Sequence, residues 1–490
     1  MCTLLGWYST VPVRTPKKLL PYVDARGRDA FGVYVETLGK FVFSSKKDLL
    51  QFLHHLPGQR FVSIVSRAIP ASERHATDVE KDTQPFTDQN WVVTHNGIIA
   101  NDETLEKQYS LTRTSKVDTA VVPPLLQKLG IEDTLKALQG SFALTVYKRN
   151  TGTLYLATNF MPLYWAVSGA MVMWSSMPIP GFQPLEPYSY LTINKRSDHT
   201  FNVVSTRLPT TLDQSRVAVV CSGGMDSVTT LRLYQVLGYS PTIVHFDYGQ
   251  AASEVEDYCT SRISEIYGIP KLKLEVSQIF KHMKSVLTTA KAADPKYRHW
   301  DMESTYSYVG ARNLILASLA MGIAEELNIG RLALGLNLDD GGGYPDNNSP
   351  FVDTLHQLSA YALNWNHYMY VEAPFVHLTK KEILEVALAI GSPLHLTASC
   401  YYPKLEGSQI VYCGQCGCDK LREESFRALG IKDPIPYATN PSWEGCSELE
   451  QTDWVRVREP HTRLKLEEIP YHKYLQLRSD LSVVNSFTTS

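Results

Sequence analysis

The sequence has no apolar run that reaches the roughly 18 residues needed to span a bilayer. Its amino terminus lacks the basic segment and apolar stretch of a secretory leader. It also lacks a large excess of either charge, since 47 Lys and Arg oppose 50 Asp and Glu. The first two absences predict a cytoplasmic protein, in the host cytoplasm if a virus encodes it, that does not act at a membrane. The third argues against a wholly basic nucleic-acid-binding surface and leaves room for a local patch.

Cysteine is scarce, with eight in 490 residues, and half of these lie between positions 400 and 418. In a reducing compartment, such a cluster indicates metal binding before disulfides. Cys413 and Cys416 have the spacing of a zinc knuckle, and with Cys400 and Cys418 they offer four thiolates. This set predicts a structural Zn²⁺ site with tetrahedral ligands. The alternative is a group of unligated core or surface cysteines.

The common phosphate loop G-x-x-x-x-G-K-[ST] is also missing, but another loop of phosphate size is present. It is Ser222-Gly223-Gly224-Met225-Asp226-Ser227, which follows the apolar run 217–220 and precedes a helix-like segment. Glycines let the backbone approach an anion, the two serine hydroxyls can donate to phosphate oxygens, and the helix amino terminus adds positive potential. The alternative is an ordinary glycine turn.

This hexapeptide resembles the PP-loop of the ATP pyrophosphatases, which adenylate a carboxyl or carbonyl oxygen and release pyrophosphate. The resemblance implies that the chain binds ATP together with Mg²⁺. The implied ATP-binding residues are Ser222, Gly223, Gly224, Asp226 and Ser227.

Strand and helix patterns divide the chain into two halves. Short alternating strands at 61–65, 91–94, 142–147 and 154–157 predict stacked antiparallel sheets in residues 1–205. Strands at 217–220, 242–246 and 331–335 alternate with helices and predict a doubly wound parallel sheet, with ligands at the carboxyl ends of its strands. We therefore predict an α/β protein with domains at 1–205 and 216–440 and an extension at 441–490. The helix at 313–327 and a capping box at Thr379 and Glu382 are interpreted as scaffold.

The amino-terminal half contains a candidate nucleophile. Removal of Met1 would place a free α-amine, with an ordinary pKa near 8, beside the Cys2 thiol that it can activate. A cysteine at this position has little weight alone. Five further motifs follow it: R-G-R-D-A-F-G at 26–32, Arg67, Gln84-Pro85-Phe86, His95-Asn96-Gly97 and Asp118-Thr119.

In this order and approximate spacing, the motifs resemble the class II glutamine amidotransferases over almost the whole half. The resemblance implies an N-terminal-nucleophile (Ntn) domain of αββα type, in which Cys2 attacks the glutamine amide and releases ammonia. Asn96 and Gly97 would form the oxyanion hole, and the glutamine site would contain Arg67 for the α-carboxylate, Asp118 for the α-ammonium, and His95. Asn-Gly is also a strong hairpin signal, so a turn is a second interpretation.

The carboxy-terminal half resembles the 7-cyano-7-deazaguanine synthases from about position 217 to 434. The motifs that carry this resemblance are Phe246-Asp247-Tyr248-Gly249-Gln250, Val309-Gly310-Ala311-Arg312-Asn313, Gly343-Tyr344-Pro345-Asp346 and Arg422-x3-Phe426-x3-Gly430-x2-Asp433-Pro434. The family usually spaces its last three cysteines C-x2-C-x2-C, whereas this chain has C-x2-C-x-C and places Asp419 where the third cysteine belongs. We expect Cys418 as the fourth ligand because structural zinc prefers sulfur, with Asp419 as the alternative.

A 7-deazaguanine presents N1–H and a 2-amino group as adjacent donors, so its pocket needs a carboxylate or a backbone carbonyl. Asp339, Asp340 and Asp346 follow the third strand of this half and are candidates, although loop acids beside glycines are often only solvated. The remaining candidates for substrate binding are Tyr248, Arg312 and Asn313. Arg312 could neutralise phosphate, orient the base, or form a buried ion pair where its helix starts.

Together, the two halves predict an enzyme that takes ammonia from glutamine and passes it internally to a 7-deazaguanine. The fusion resembles amidotransferases of archaeosine-type modification, which implies conversion of 7-cyano-7-deazaguanine in DNA or tRNA to the 7-formamidino base. One alternative is a glutamine-fed, ATP-dependent synthase of free 7-cyano-7-deazaguanine from the 7-carboxy compound. Others are an asparagine synthetase-like ligase and a catalytically silent nucleotide-binding protein. An oligomer is compatible with the sequence.

Overall fold

The computed structural model describes residues 2–67, 78–283, 285, 287–288, 307–341 and 343–449. Its contacts divide the chain into two compact units. The first runs to Thr211 and includes Ala360–His367, and the second comprises Leu212–Ser359 and the chain from Tyr368 onward. The boundary falls in the polar stretch 205–216. Most of the predicted extension, residues 450–490, lies outside the described residues.

The first unit contains two antiparallel sheets. The seven-stranded sheet has the order β11-β9-β10-β1-β4-β2-β3, and the six-stranded sheet has the order β13-β12-β8-β7-β6-β5. The strands are β1 Thr3–Val13, β2 Ala30–Val35, β3 Gly39–Phe43, β4 Gln59–Arg67, β5 Phe86–Thr87, β6 Trp91–Ile99, β7 Gly140–Lys148, β8 Thr153–Thr158, β9 Tyr164–Ser168, β10 Met171–Ser175, β11 Gln183–Pro184, β12 Ser189–Lys195 and β13 Phe201–Arg207. The helices are α1 Lys46–His55, α2 Val79–Asp82, α3 Asp102–Gln108 and α4 Val122–Ala137, with 3₁₀ turns at Leu20–Tyr22 and Asp118–Val121.

Strand β1 is buried on both faces because the seven-stranded sheet is covered on both sides. Leu4 and Tyr8 pack into a core shared with residues of the six-stranded sheet. Leu5 and Trp7 point the other way, into a second core that includes Leu49 of α1. Successive strand residues alternate between faces, so this double coverage explains why the strand is apolar without interruption at these positions. The stacked antiparallel sheets predicted for this half are confirmed.

The second unit is built on a five-stranded parallel sheet with the order β16-β15-β14-β17-β18. Its strands are β14 Asp213–Val220, β15 Ser240–Asp247, β16 Lys271–Glu275, β17 Ile329–Leu334 and β18 Tyr370–Glu372, and β19 Lys404–Glu406 and β20 Gln409–Val411 form a hairpin. The helices are α5 Met225–Val236, α6 Ser253–Tyr267, α7 Ser277–Phe280, α8 Arg312–Glu326, α9 Leu338–Gly341, α10 Ser349–Ala362, α11 Lys380–Ala389 and α12 Gly417–Ala428, with a 3₁₀ turn at Leu394–Leu396. The predicted parallel sheet is confirmed.

Two helices predicted as scaffold form as expected. The apolar segment at 313–327 is α8, and the capping box at Thr379 and Glu382 begins α11 with both of its reciprocal hydrogen bonds. Among the described residues, no helix combines the length and apolar character needed to cross a membrane.

Candidate active sites

Cys2 lies immediately before β1, next to the carboxyl end of β4. Because Thr3 pairs with Ser66 in antiparallel register, Cys2 comes beside Arg67 on the neighbouring strand. Burial raises the pKa of the Cys2 thiol, and the positive charge of Arg67 opposes this effect while Asp118 reinforces it. The thiol therefore needs a base for activation, which the α-amine freed by loss of Met1 would supply.

Asn96 holds the Cys2 backbone and leaves one donor unused. The Cys2 backbone N–H donates to Asn96 Oδ1 at 2.9 Å. Asn96 is fully buried, and its Nδ2 has no hydrogen-bond partner among the described residues. A buried amide without an acceptor is costly in an apolar interior. This donor lies beside the cysteine and is free to bind an acceptor there, as its predicted place in an oxyanion hole requires.

Gly97 lies inside β6 and not in a turn, so the hairpin interpretation of Asn-Gly is wrong. The strand runs through Trp91–Ile99 and pairs Gly97 with Phe142 of β7. The residue has φ +145°, and a Cβ atom there would lie 1.9 Å from the Ser141 carbonyl oxygen. Only glycine lets the two strands approach at this point.

Arg67 and Asp118 lie near the cysteine, and each side chain already makes hydrogen bonds within the protein. Arg67 Nη1 donates to the Asp82 carbonyl at 2.8 Å. Asp118 accepts the Ile99 amide through Oδ2 at 2.7 Å and the Thr119 amide through Oδ1 at 2.6 Å. Neither side chain is fully buried, so both can still meet a ligand.

His95 is buried, and both of its ring nitrogens have partners within the protein, so its role in glutamine binding stays a prediction. The residue is 1 % exposed, and burial lowers the pKa of its ring, so the neutral form is favoured. Its Nε2 lies 3.2 Å from the Ser141 carbonyl and its Nδ1 lies 2.9 Å from Thr119 Oγ1. The carbonyl can only accept, so Nε2 carries the proton. His95 therefore positions the strand that bears Asn96.

The hexapeptide at 222–227 forms a turn between β14 and α5, as predicted. Gly223 has φ +88°, and Gly224 is the N-cap of α5 without a side chain to accept from the first-turn amides. The Ser222 and Ser227 hydroxyl oxygens lie 3.4 Å apart, and Ser227 Oγ donates to the Gly224 carbonyl. Both hydroxyls line a cavity at the carboxyl edge of the parallel sheet.

Asp226 is part of a buried ion pair that the sequence did not indicate. Its Oδ2 accepts from Lys380 Nζ at 2.5 Å and from Asn337 Nδ2 at 2.9 Å. Although burial alone would lower the pKa of Lys380, the carboxylates of Asp226 and Asp340 raise it above its usual range. Asp226 Oδ1 is buried without a partner among the described residues. That oxygen fits a cation, such as Mg²⁺ arriving with ATP.

Arg312 and Tyr248 face the same cavity. Arg312 Nη1 donates to the Tyr248 hydroxyl at 3.3 Å. The described residues place no carboxylate within ion-pair distance of this guanidinium, so the alternative of a buried ion pair at the helix start is not met. Since no anion among the described residues pairs with it, this half-buried guanidinium favours an anionic ligand.

The carboxylates of the loop acids accept hydrogen bonds from other groups of the protein. Asp346 Oδ2 accepts the Asn313 backbone amide, and its carbonyl accepts Asn313 Nδ2, each at 3.0 Å. Asp339 accepts the Lys380 backbone amide at 2.7 Å, and Asp340 accepts Asn337 Nδ2 at the same distance. Asp346 and Asn313 thus anchor the start of α8, and Asn313 also lines the cavity, so their contact with substrate stays a prediction.

The group that could hold a metal ion consists of Cys400, Cys413, Cys416 and Asp419, and it does not include Cys418. One ligand atom from each of the four lies within 4.8 Å of the others. Cys416 caps α12, and Asp419 in its first turn points back toward the helix start, as helical side chains do. Asp419 Oδ2 accepts the Gly414 amide, while its Oδ1 is buried without a partner among the described residues. This orphaned oxygen and three free thiols fit Zn²⁺.

Cys418 instead lines the cavity beside the phosphate loop. The preference for sulfur as the fourth ligand is therefore corrected, and the aspartate alternative has the right geometry. The helix turns about 100° per residue, so neighbouring positions 418 and 419 face different sides. Sequence spacing alone cannot choose between them.

We expect Asp419→Ala to lose zinc and Cys418→Ser to keep it. Protein purified without chelators should contain one zinc per chain, and the aspartate variant well below half of that, because structural zinc needs four ligands. Elemental analysis of both variants measures this. Zinc loss in Cys418→Ser with retention in Asp419→Ala would contradict the assignment.

Two family models match the chain. One described as "Queuosine biosynthesis protein QueC" covers residues 216–430, and one described as "Glutamine amidotransferase domain" covers residues 72–179. They fall respectively on the parallel-sheet half and on the half that begins with Cys2.

Curated relatives match the chain over two different lengths. A protein of Saccharolobus solfataricus called 7-cyano-7-deazaguanine synthase is 35% identical and covers 89% of this chain and 99% of its own length. A Sulfurisphaera tokodaii protein called 7-cyano-7-deazaguanine synthase 2 is 32% identical, with coverages of 89% and 100%. A Pseudomonas fluorescens protein called 7-cyano-7-deazaguanine synthase is 33% identical and covers 46% of this chain but 100% of its own length.

Proposed function

Since this chain belongs to the family of 7-cyano-7-deazaguanine synthases that carry a glutamine amidotransferase domain, we propose that it delivers ammonia from glutamine to the 7-substituent of a 7-deazaguanine. In the reaction that we favour, a 7-cyano group in DNA or tRNA becomes a 7-formamidino group. The observation that carries the proposal is the presence of two sites in one chain. One is a half-buried cysteine beside an unpaired side-chain amide, and the other is a cavity beside a phosphate loop.

Glutamine is hydrolysed at Cys2. The α-amine takes the thiol proton, sulfur attacks the amide carbon, and the oxyanion accepts hydrogen bonds from Asn96 Nδ2 and the Gly97 amide. Ammonia leaves with the proton, and water then hydrolyses the thioester to glutamate. Each oxyanion donor contributes about 3 kcal/mol to such a transition state. Arg67 binds the glutamine α-carboxylate and Asp118 its α-ammonium, which suits their charges and their positions beside the cysteine.

Ammonia then adds across the carbon–nitrogen triple bond of the 7-cyano group. The product contains every atom of both reactants, so no group has to leave and no oxygen has to be activated. Ammonia is mostly protonated, and therefore unreactive, in neutral water. We therefore propose that it reaches the acceptor without mixing with solvent.

The length of one relative supports this reaction. The Pseudomonas fluorescens protein carries the synthase name and, over its full length, matches 46% of this chain, about the size of the region 216–430 that the QueC family model covers. A protein of that length with the synthase name indicates that nitrile synthesis does not need an attached glutaminase. An added amidotransferase domain suits a further step that consumes ammonia.

A second candidate is ATP-dependent synthesis of free 7-cyano-7-deazaguanine from the 7-carboxy compound. The complete phosphate loop and the cavity-facing Arg312 favour it, since adenylation of a carboxylate needs ATP and brings anions into the cavity. The archaeal relatives that span the chain also carry the synthase name. ATP would lie against Ser222, Gly223, Gly224 and Ser227, with Mg²⁺ at Asp226. Zinc would stabilise the loop before α12 and would take no part in the chemistry.

Omission of ATP separates the two reactions. We expect the protein, with glutamine and an oligonucleotide or tRNA containing 7-cyano-7-deazaguanine, to form the formamidino nucleoside whether or not ATP is present. Mass spectrometry of the digested nucleosides measures this. No product on either polymer, together with ATP-dependent formation of the nitrile from 7-carboxy-7-deazaguanine, would replace the proposal by the second candidate.

A further inference from the structure

Glu256 is a cavity carboxylate that the sequence motifs did not single out. It lies in the first turns of α6 and lines the cavity together with Ser222, Ser227 and Arg312. Helix α6 packs directly on the phosphate loop: a Cβ atom at Gly223 would lie 3.1 Å from the Glu256 carbonyl oxygen. The carboxylate is therefore fixed next to the turn where the proposed chemistry takes place.

A neighbouring glutamine orients this carboxylate. Gln250 Nε2 donates to Glu256 Oε2 at 2.7 Å and to the Phe246 carbonyl at 3.1 Å. Gln250 Oε1 in turn accepts the Tyr248 backbone amide at 2.8 Å, which fixes the amide orientation. Glu256 Oε1 has no hydrogen-bond partner among the described residues. One carboxylate oxygen thus remains for a ligand, and Oε2 still has a second lone pair.

The electrostatic environment of Glu256 lets a ligand shift the protonation state of its carboxyl group. Burial raises the pKa of Glu256 to about 7, although the hydrogen bond from Gln250 and the charge of Arg312 oppose the rise. Near neutral pH the side chain therefore exists in both forms. A ligand with two adjacent N–H donors would stabilise the carboxylate.

We propose that Glu256 recognises the guanine edge of the base, accepting hydrogen bonds from N1–H and the 2-amino group of a 7-deazaguanine. This inference rests on the proposed function and names the residue that selects its substrate class. The loop acids are less suited, because Asp339 and Asp346 accept backbone amides and Asp340 accepts Asn337. Adenine has no N1–H and no 2-amino group, so the same carboxylate does not suit the adenine of ATP.

The test compares 7-cyano-7-deazaguanine with 7-cyano-7-deazahypoxanthine, which lacks only the 2-amino group. Equilibrium binding of both compounds, as free bases and 2′-deoxynucleosides, is measured on the full chain. We expect the wild type to prefer the guanine form by about 10- to 100-fold, the scale of bidentate base recognition. Glu256→Gln replaces an acceptor by a donor and should remove this preference. Glu256→Asp keeps the charge and should retain part of it.

Glu254→Gln is the matched control, because Glu254 is exposed on the same helix and does not line the cavity. It should bind both compounds like the wild type. An unchanged preference in Glu256→Gln, or weaker ATP binding without any effect on the base, would overturn the inference while leaving the proposed function standing. If the wild type bound neither deazapurine, the proposed function would fail together with the inference.

Discussion

Cys2→Ala should lower glutamine-dependent product formation by about 10⁴-fold or more, the scale on which loss of a catalytic nucleophile acts. The structure gives the reason. Cys2 is held by Asn96 Oδ1, and the Nδ2 atom of the same side chain is buried without a partner among the described residues. The same variant should still use ammonium chloride at alkaline pH, because the acceptor cavity is lined by residues of the other half. Initial rates with each nitrogen source measure both effects.

Cys446→Ala provides the control, since Cys446 is another partly exposed free cysteine that lies outside both sites and the metal cluster. It should match the wild type with either nitrogen source. Equal loss of glutamine and ammonium activity in Cys2→Ala would contradict the assignment of two separate sites.

Lys380→Met should lower the local free energy of unfolding of the parallel-sheet unit by about 3–5 kcal/mol, the usual effect of removing one partner from a buried ion pair. Lys380 is 6 % exposed and donates to Asp226, whose second oxygen is already without a partner among the described residues. The variant leaves this carboxylate buried and uncompensated. Because a chain of two units need not unfold in one step, native-state hydrogen exchange of the β14 and α5 amides is the suitable measurement.

Two comparisons isolate the ion pair. Lys381→Met removes an exposed neighbour whose contact with Glu385 spans 3.8 Å, and it should change stability by less than about 1 kcal/mol. Asp226→Asn combined with Lys380→Met removes both charges and keeps an acceptor for Asn337, so it should recover most of the loss. A double variant as unstable as Lys380→Met would show that charge pairing is not the cause.

Local patterns predicted the parts of the site that are contiguous in sequence. The 222–227 turn follows from its glycines between a strand and a helix, and the capping box at Thr379 follows from residue types three positions apart. Cys2, Arg67 and Asn96 were predicted only through a family resemblance. Their proximity depends on the pairing of β1 with β4 and on the Cys2–Asn96 hydrogen bond, which spans 94 positions.

Other features of the sites depend on where side chains point, which no local sequence pattern predicts. Lys380 reaches Asp226 across 154 positions, and its place in a capping box suggested only a scaffold role. Glu256 follows Gln250 by six residues, and only the start of α6 between them turns its carboxylate toward the amide. The choice of Asp419 over Cys418 similarly depends on where α12 begins. The one sequence signal for Glu256 is that an acidic residue follows the 246–250 motif by a few positions.

The proposed function requires that nitrogen from glutamine reach the 7-substituent of a deazaguanine within this chain. The most direct test supplies glutamine labelled with heavy nitrogen in its amide, an excess of unlabelled ammonium near neutral pH, and DNA or tRNA containing 7-cyano-7-deazaguanine. We expect a formamidino nucleoside that carries the heavy nitrogen despite the unlabelled pool, and no labelled product from Cys2→Ala. A product labelled only in proportion to the mixed ammonia in solution would contradict direct delivery, and no labelled base of any kind would contradict the proposed function.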